Sequence, residues 1–380
     1  MIPYGRQDVT DEDIAAVVAV LRSDWLTQGP AVPRFEEAVA MRCGASRAVA
    51  ANSATSSLHL ACLALGIGPG DLGWTVPNTF VASANCLRHC GAVADFVDID
   101  PSTLNLGVDA LEEKLRSARR AGRLPKVLIP VHFAGLSCDM AGIARLADEY
   151  GFKVIEDASH AIGGRHRGQP IGCGRYADIT VFSFHPVKII TTGEGGMALS
   201  NDAVLADAMT RLRSHGIRRD AAAQAVHGPW YYEQTELGFN YRMTDIQAAL
   251  GLSQLARLDA YVAARLRLAD RYDRLLADLP LRTPGRDPDS DSAWHLYVVR
   301  LEDAGRRRAV FEHLRAAGIG VNVHYIPVHL QPDYQSQGFA PGDYPVAEDY
   351  YARALTLPLY PTLSETEQDR VVIKLHEALA

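Results

Sequence analysis

Between residues 33 and 213, short apolar and β-branched runs alternate with segments whose apolar residues recur at helical spacing. Residues 93–99, 127–131, 154–156 and 179–184 read as strands, and 139–150 as one of the helices between them. Strands that alternate with helices belong to a mostly parallel sheet covered on both faces. Residues 244–279 are rich in Ala, Leu and Arg, lack proline until Pro280, and open on the capping pair Thr244-Asp245. This pattern predicts one long helix leading out of a first domain. A polar break over 283–291 precedes a strand-like 293–301 and further helices, so a smaller α+β domain is expected in the C-terminal third. The expected division is residues 1–250 for a large domain with an N-terminal arm and 251–380 for a linker helix and a small domain.

Composition narrows the function. The 380 residues are 48% hydrophobic, enough for a real core, and carry a formal charge of −7 with an isoelectric point near 6.0. That balance provides no basic field for nucleic acid, and Arg119-Arg120 and Arg306-Arg307-Arg308 read as solvated helix faces. No signal pattern opens the chain and no apolar stretch approaches a membrane span, so the expectation is a soluble cytoplasmic protein without membrane contact. The six cysteines lack paired spacing and predict neither disulfides nor a metal site. Cys86 and Cys90, on one helical face with His89 nearby, read as small packing residues.

Lys188 is the residue that demands chemistry. It is a lone amine in Val181-Phe182-Ser183-Phe184-His185-Pro186-Val187-Lys188-Ile189-Ile190, followed by Gly193-Glu194-Gly195-Gly196. Desolvation drives a lysine toward its neutral, nucleophilic form, whose obvious covalent use is a Schiff base. Upstream, the β-branched run Val154-Ile155 ends in Glu156-Asp157, as a buried strand does when it delivers an acid to a cleft. A lysine imine and a carboxylate for a pyridinium nitrogen are what pyridoxal phosphate requires. Asn52-Ser53-Ala54-Thr55-Ser56-Ser57 places hydroxyls at a helix start, where free N–H groups favour a phosphate, with Thr55 and Ser56 as its ligands. Ser183 adds a hydroxyl at a strand end. Phe80 offers a ring face for a flat cofactor. His160 either bonds the cofactor's phenolic oxygen or packs as a core histidine. The run Gly66-Ile67-Gly68-Pro69-Gly70 fails the spacing of a nucleotide-binding turn. Gly193 to Gly196 instead let backbone pass close beside the lysine.

At these residues the chain resembles the DegT/StrS-type sugar aminotransferases, pyridoxal-phosphate enzymes of fold type I, nearly end to end. Within that family the likeness is to the members that aminate UDP-4-keto-6-deoxy-N-acetylhexosamines for pseudaminic acid biosynthesis. It is carried by Ser23 to Pro30 (SDWLTQGP), Phe182 to Lys188 (FSFHPVK), Leu237 to Asp245 (LGFNYRMTD) and Val323 to His329 (VHYIPVH). The resemblance implies a large domain with a mostly parallel, seven-stranded sheet and a smaller C-terminal α+β domain. It makes Lys188 the imine-forming catalytic lysine and Asp157 the partner of the pyridine nitrogen, with Phe80 and His160 flanking the ring. Thr55, Ser56 and Ser183 become phosphate or substrate contacts, and Asn240 is given across a homodimer interface to the neighbouring site. Tyr4, Leu26, Thr27, Gln28, Gly29, His324, Tyr325, Ile326 and Pro327 match stretches that hold the nucleotide sugar. L-Glutamate would donate the amino group, the cofactor passing through its pyridoxamine form, and the sugar product would be UDP-4-amino-4,6-dideoxy-N-acetyl-β-L-altrosamine. Another keto-sugar on UDP, dTDP or GDP, or a binding protein without turnover, are the alternatives. Leu72-Gly73 and Asn78 depart from the family pattern. Retention of Lys188, where some relatives carry histidine and act as dehydratases, argues for transamination. The role of His185 stays open.

Overall fold

The computed structural model describes all 380 residues. Seven strands form its central sheet: β1 (Arg47–Ala51), β2 (Leu72–Thr75), β3 (Val93–Phe96), β4 (Val127–Ile129), β5 (Lys153–Asp157), β6 (Ile179–Ser183) and β7 (Gly196–Ser200). Their order is β1-β7-β6-β5-β4-β2-β3. Every pairing is parallel except those of β7, which runs antiparallel to both β1 and β6. β6 and β7 are buried at all five positions each, as strands covered on both faces must be.

The parallel topology brings the carboxyl ends of β1, β2, β5 and β6 to one edge, where ligands of open α/β sheets bind. Ser53, Phe80, Asp157 and Ser183 all sit at or just beyond those ends. Because β7 is antiparallel, its first residue, Gly196, lies at the same edge.

The predicted helix over 244–279 is two helices, Asp245–Leu255 and Leu258–Leu275. No proline or glycine breaks it. The N-terminal helix Asp11–Leu21 docks at the break, where Arg257 donates to the buried Asp13 at 2.5 Å and to the Tyr261 hydroxyl at 2.9 Å, and Gln254 donates to Asp13 at 2.6 Å. Thr244 caps the first helix through a capping box with Gln247. Asp245 turns away and accepts from the backbone of Gly29 and Ala31, each at 3.0 Å. Strand 293–301 is shorter than expected, Tyr297–Leu301.

The C-terminal part carries an antiparallel sheet of Leu281–Arg282, Tyr297–Leu301 and Ala354–Leu357 over its own apolar cluster, which includes Tyr272, Tyr297, Val299, Val371 and Leu375. The N-terminal arm belongs to this cluster. Ile2 donates to the Gly318 carbonyl and accepts from the Gly320 amide, so the chain's start is threaded beside Ile319 and Tyr4 is carried to the cleft between the two sheets.

Candidate active site

A cleft of about 450 Å³ opens at the carboxyl edge of the large sheet, a size typical of small-molecule sites. It brings together Tyr4, Thr55, Phe80, Asp157, His160, Ser183, Lys188, His324 and Tyr325.

Lys188 projects from the loop between β6 and β7. Its amine has no ion-pair partner among the chain's salt bridges, and its surroundings desolvate it. Burial brings its pKa down to about 8, against the opposing pull of the Asp157 charge. Roughly 10% of the amine is therefore uncharged at pH 7, against well below ~0.1% for an ordinary lysine.

Asp157 ends β5 and is 4% exposed. Its Oδ2 accepts from the Ser83 hydroxyl at 2.7 Å, and its Oδ1 accepts from the Ser159 amide at 3.1 Å and hydroxyl at 2.6 Å. A carboxylate has about four acceptor positions, so three are filled by groups that fix its orientation and one is left for the cleft. On the opposite face of β5, Glu156 accepts from Thr180 at 2.6 Å and lies 2.9 Å from the ring of the buried His132. The His132 amide donates to the Asp157 carbonyl at 3.1 Å, so the pair secures the strand end.

At the helix Ala54–Ala64, Ser53 is the cap and accepts from the Ser56 amide at 3.1 Å. The Ala54 and Thr55 amides have no partner in the chain, and the Thr55 and Ser183 hydroxyls make no hydrogen bond. This is an anion cradle. Ser56 is a correction to the sequence reading: its hydroxyl donates to Asn52 at 2.6 Å and it lies outside the cleft lining, while Ser53 takes its place there. Gly196 explains how the cradle is built. A side chain at Gly196 would sit 2.4 Å from the Ala54 nitrogen, so only glycine lets β7 run against the helix start.

His160 Nδ1 accepts the Ala134 amide at 3.3 Å, which puts its proton on Nε2, 3.2 Å from the Tyr325 hydroxyl. Both ring nitrogens are satisfied by the protein. What this pair presents to the cleft is the Tyr325 O–H. Burial and the Lys188 charge hold His160 well below its usual pKa, and the same two causes bring His324 to about 3. His324 is fixed by Thr356 at 2.8 Å. Asn78, an oddity of the sequence, accepts from the Tyr325 amide at 3.4 Å and so anchors this segment.

Several expected residues stand elsewhere. Leu26, Thr27, Gln28 and Gly29 are outside the cleft, held against Thr244 and Asp245. Ile326 is 46% exposed and Pro327 is buried, both off the cleft lining. Asn240 is exposed and also off it. The sequence reading missed Thr79, Ser83, Ser159, Glu194 and His295, all of which line the cleft. His295 had a signal, a single imidazole in an apolar run. His185 lines the cleft 4.0 Å from Glu194.

The unpaired lysine, the open acceptor of Asp157 and the free N–H and hydroxyl groups fit the aldehyde, ring nitrogen and phosphate of pyridoxal phosphate respectively. With this sheet order they define the architecture of the fold-type I pyridoxal-phosphate enzymes. The chain belongs to the DegT/DnrJ/EryC1/StrS aminotransferase family, whose sequence profile matches residues 7–376. It is 42% identical over 380 residues to the spore coat polysaccharide biosynthesis protein SpsC of Bacillus subtilis, covering 98% of this chain and 95% of that protein. Among solved structures it is similar to the pyridoxamine-phosphate form of the putative sugar aminotransferase Spr1654 of Streptococcus pneumoniae, with TM-score 0.92 and 32% identity over 100% of this chain and 99% of that one. It is equally similar to Helicobacter pylori PseC, an aminotransferase involved in the biosynthesis of pseudoaminic acid, with TM-score 0.91, 30% identity and the same coverage.

Proposed function

We propose that the protein is a pyridoxal-phosphate sugar aminotransferase that moves the amino group of L-glutamate to the C4 ketone of a UDP-4-keto-6-deoxy-N-acetylhexosamine. The products are 2-oxoglutarate and UDP-4-amino-4,6-dideoxy-N-acetyl-β-L-altrosamine. The observation that carries the chemistry is the unpaired Lys188 amine in one cleft with Asp157. The likeness to PseC supports the sugar.

Bound in this cleft, pyridoxal phosphate supplies an electrophilic carbon for amines and a sink for the electrons left when a proton leaves the substrate carbon. Lys188 Nζ, the uncharged amine facing that position, would take up the proton as general base and give it back as general acid. In the second half-reaction it runs the same transfer in reverse. Asp157, oriented by Ser83 and Ser159, keeps the ring nitrogen protonated. The Thr55 and Ser183 hydroxyls and the Ala54 and Thr55 amides hold the phosphate. Phe80, 59% exposed at the cleft mouth, covers the ring. Tyr4, His324 and Tyr325 face the sugar. The working unit is a homodimer in which Asn240 enters the neighbouring subunit's cleft, with Leu26, Thr27, Gln28 and Gly29 beside it on the Thr244-Asp245 segment. Its support is that these residues are surface-placed and outside the cleft of their own chain.

The test is turnover with L-glutamate and three 4-keto-6-deoxy sugars carried on UDP, dTDP and GDP. The UDP N-acetylhexosamine is expected to exceed the others at least ~100-fold in kcat/KM, roughly the discrimination that one or two buried polar contacts provide. A preference for dTDP or GDP hands the reading to another branch of the family.

Lys188 sets the pH dependence of cofactor capture. Only the uncharged amine attacks an aldehyde, and a group with pKa about 8 gains it tenfold per pH unit below that value. Stopped-flow mixing of cofactor-free protein with pyridoxal phosphate should therefore show a rate that climbs up to about pH 8 and then levels. A rate still climbing tenfold per unit above pH 9 would show an ordinary lysine.

Gly196→Ala is expected to push the Ser53-Ala54 backbone out of place and weaken pyridoxal phosphate binding by at least ~10-fold, with a loss of stability in the range of ~1–3 kcal/mol for overpacking. Fluorescence titration of the cofactor-free variant checks the first effect, and its thermal midpoint the second.

A further inference from the structure

One imidazole of the cleft wall has no partner in the protein. His295 is 4% exposed and lines the cleft, yet its side chain makes no hydrogen bond, and its Nδ1 is sealed from solvent. A buried acceptor left bare costs less than a buried N–H left bare, so the proton belongs on Nε2, the nitrogen open to the cleft. Burial, joined by the surrounding imidazoles, Lys188 and Arg265, holds the ring well below the usual histidine pKa and keeps it neutral.

The backbone that presents this ring is strained and fixed from two sides. Ala134 and Trp294, neither a glycine, both lie in the left-handed region, at φ 58° and 51°. The Ala134 carbonyl accepts from the His295 amide at 2.8 Å and from the Leu296 amide at 3.2 Å, while the Ala134 amide donates to His160 Nδ1 at 3.3 Å. From the other side the buried Arg265 donates to the carbonyls of Trp294 at 3.2 Å, His295 at 3.1 Å and Leu359 at 3.0 Å. The His295 ring is thereby packed on that of His160, with centroids 4.4 Å apart. Strain of this kind persists only where surrounding structure enforces it, and it gathers at active sites and ligand clamps.

Resting on the pyridoxal-phosphate reading of the cleft, we propose that His295 donates its Nε2 proton to the cofactor's phenolic oxygen, with Ala134 and Arg265 as the positioning residues that aim it. Three corners of the cofactor are already assigned: the aldehyde to Lys188, the ring nitrogen to Asp157, and the phosphate to the Thr55 and Ser183 cradle. On the pyridine ring the phenolic oxygen and the phosphate arm flank the aldehyde carbon, one on each side. The donor to that oxygen therefore comes from the wall that adjoins Lys188 and Asp157 and lies away from the cradle. His160, three residues beyond Asp157, belongs to that wall but has both nitrogens occupied. The Tyr325 hydroxyl takes up the His160 proton and sits on the segment that faces the sugar. His295, packed on His160, is the group with an N–H to give.

The yellow band of the lysine-linked cofactor reports this contact. Its proton is shared between the lysine nitrogen and the phenolic oxygen, and a donor to that oxygen stabilises the negative charge left there, so the proton leaves at lower pH. The experiment is a spectrophotometric pH titration of the cofactor-loaded protein, without substrate, beside His295→Phe, His295→Asn and His295→Gln. Phenylalanine keeps a ring against His160 and removes the donor. Asparagine carries an amide only as far as Nδ1, and glutamine as far as Nε2. The midpoint should rise by about one pH unit, tenfold in proton affinity, in the phenylalanine and asparagine variants, and stay within ~0.3 unit of the parent in the glutamine variant. A midpoint that is the same in all four proteins, or that moves in the glutamine variant as far as in the other two, overturns the assignment and leaves the cofactor reading standing. A parent protein with no visible band after pyridoxal phosphate is added overturns both.

Discussion

Lys188→Ala is expected to lower turnover by at least ~10⁴-fold in both half-reactions, since it removes the covalent anchor and the proton carrier together. The side chain makes no ion pair or hydrogen bond, so the fold loses little with it. Circular dichroism and the thermal midpoint should stay close to those of the parent. The variant should still bind pyridoxal phosphate through the Thr55 and Ser183 cradle, reversibly and without the visible band of the lysine-linked form. A variant that turned over within ~10-fold of the parent would remove Lys188 from the chemistry.

The second large effect belongs to Asp157. At contact distance an opposite charge in this kind of environment is worth roughly 4 kcal/mol, which is about 10³ in rate. Asp157→Asn keeps the shape and most of the contacts to Ser83 and Ser159, yet gives up the charge that holds the ring nitrogen protonated. It should lose ~10³-fold in both half-reactions with little change in stability. Asp157→Ala should lose as much turnover, and its stability should fall further, by ~1–3 kcal/mol, because the buried Ser83 hydroxyl and the half-buried Ser159 hydroxyl lose their acceptor. Full turnover in either variant, measured by single-turnover absorbance with L-glutamate, would contradict the assigned role.

What could be seen in advance follows a physical line. Lys188, Asp157, Thr55 and Ser183 stand out because each conflicts with its local pattern: a charge in an apolar run, an acid ending a β-branched strand, hydroxyls where a helix begins. The alternation of strands and helices likewise carried the parallel sheet. Ser83 and His295 did not stand out, because their significance lies in what the fold brings near them. Ser83 reads as an ordinary helical serine until Asp157, distant in sequence, is found 2.7 Å away. The break at Arg257 is the same case, since Arg257 there pairs with Asp13 at the other end of the chain. Ser56 was misassigned for a local reason, its hydroxyl being drawn back to Asn52 while the capping Ser53 faces the cleft. Sequence spacing did not show that His160 has both nitrogens occupied, which passes the contact with the cleft to Tyr325.

The central claim is that Lys188 carries pyridoxal phosphate and exchanges it with an amino donor. The most direct measurement is the visible absorption spectrum of the purified protein before and after L-glutamate, with Lys188→Ala in parallel. The account predicts a yellow protein that bleaches toward the pyridoxamine form, and a variant unable to do so. A protein that remains colourless after pyridoxal phosphate is added would contradict it.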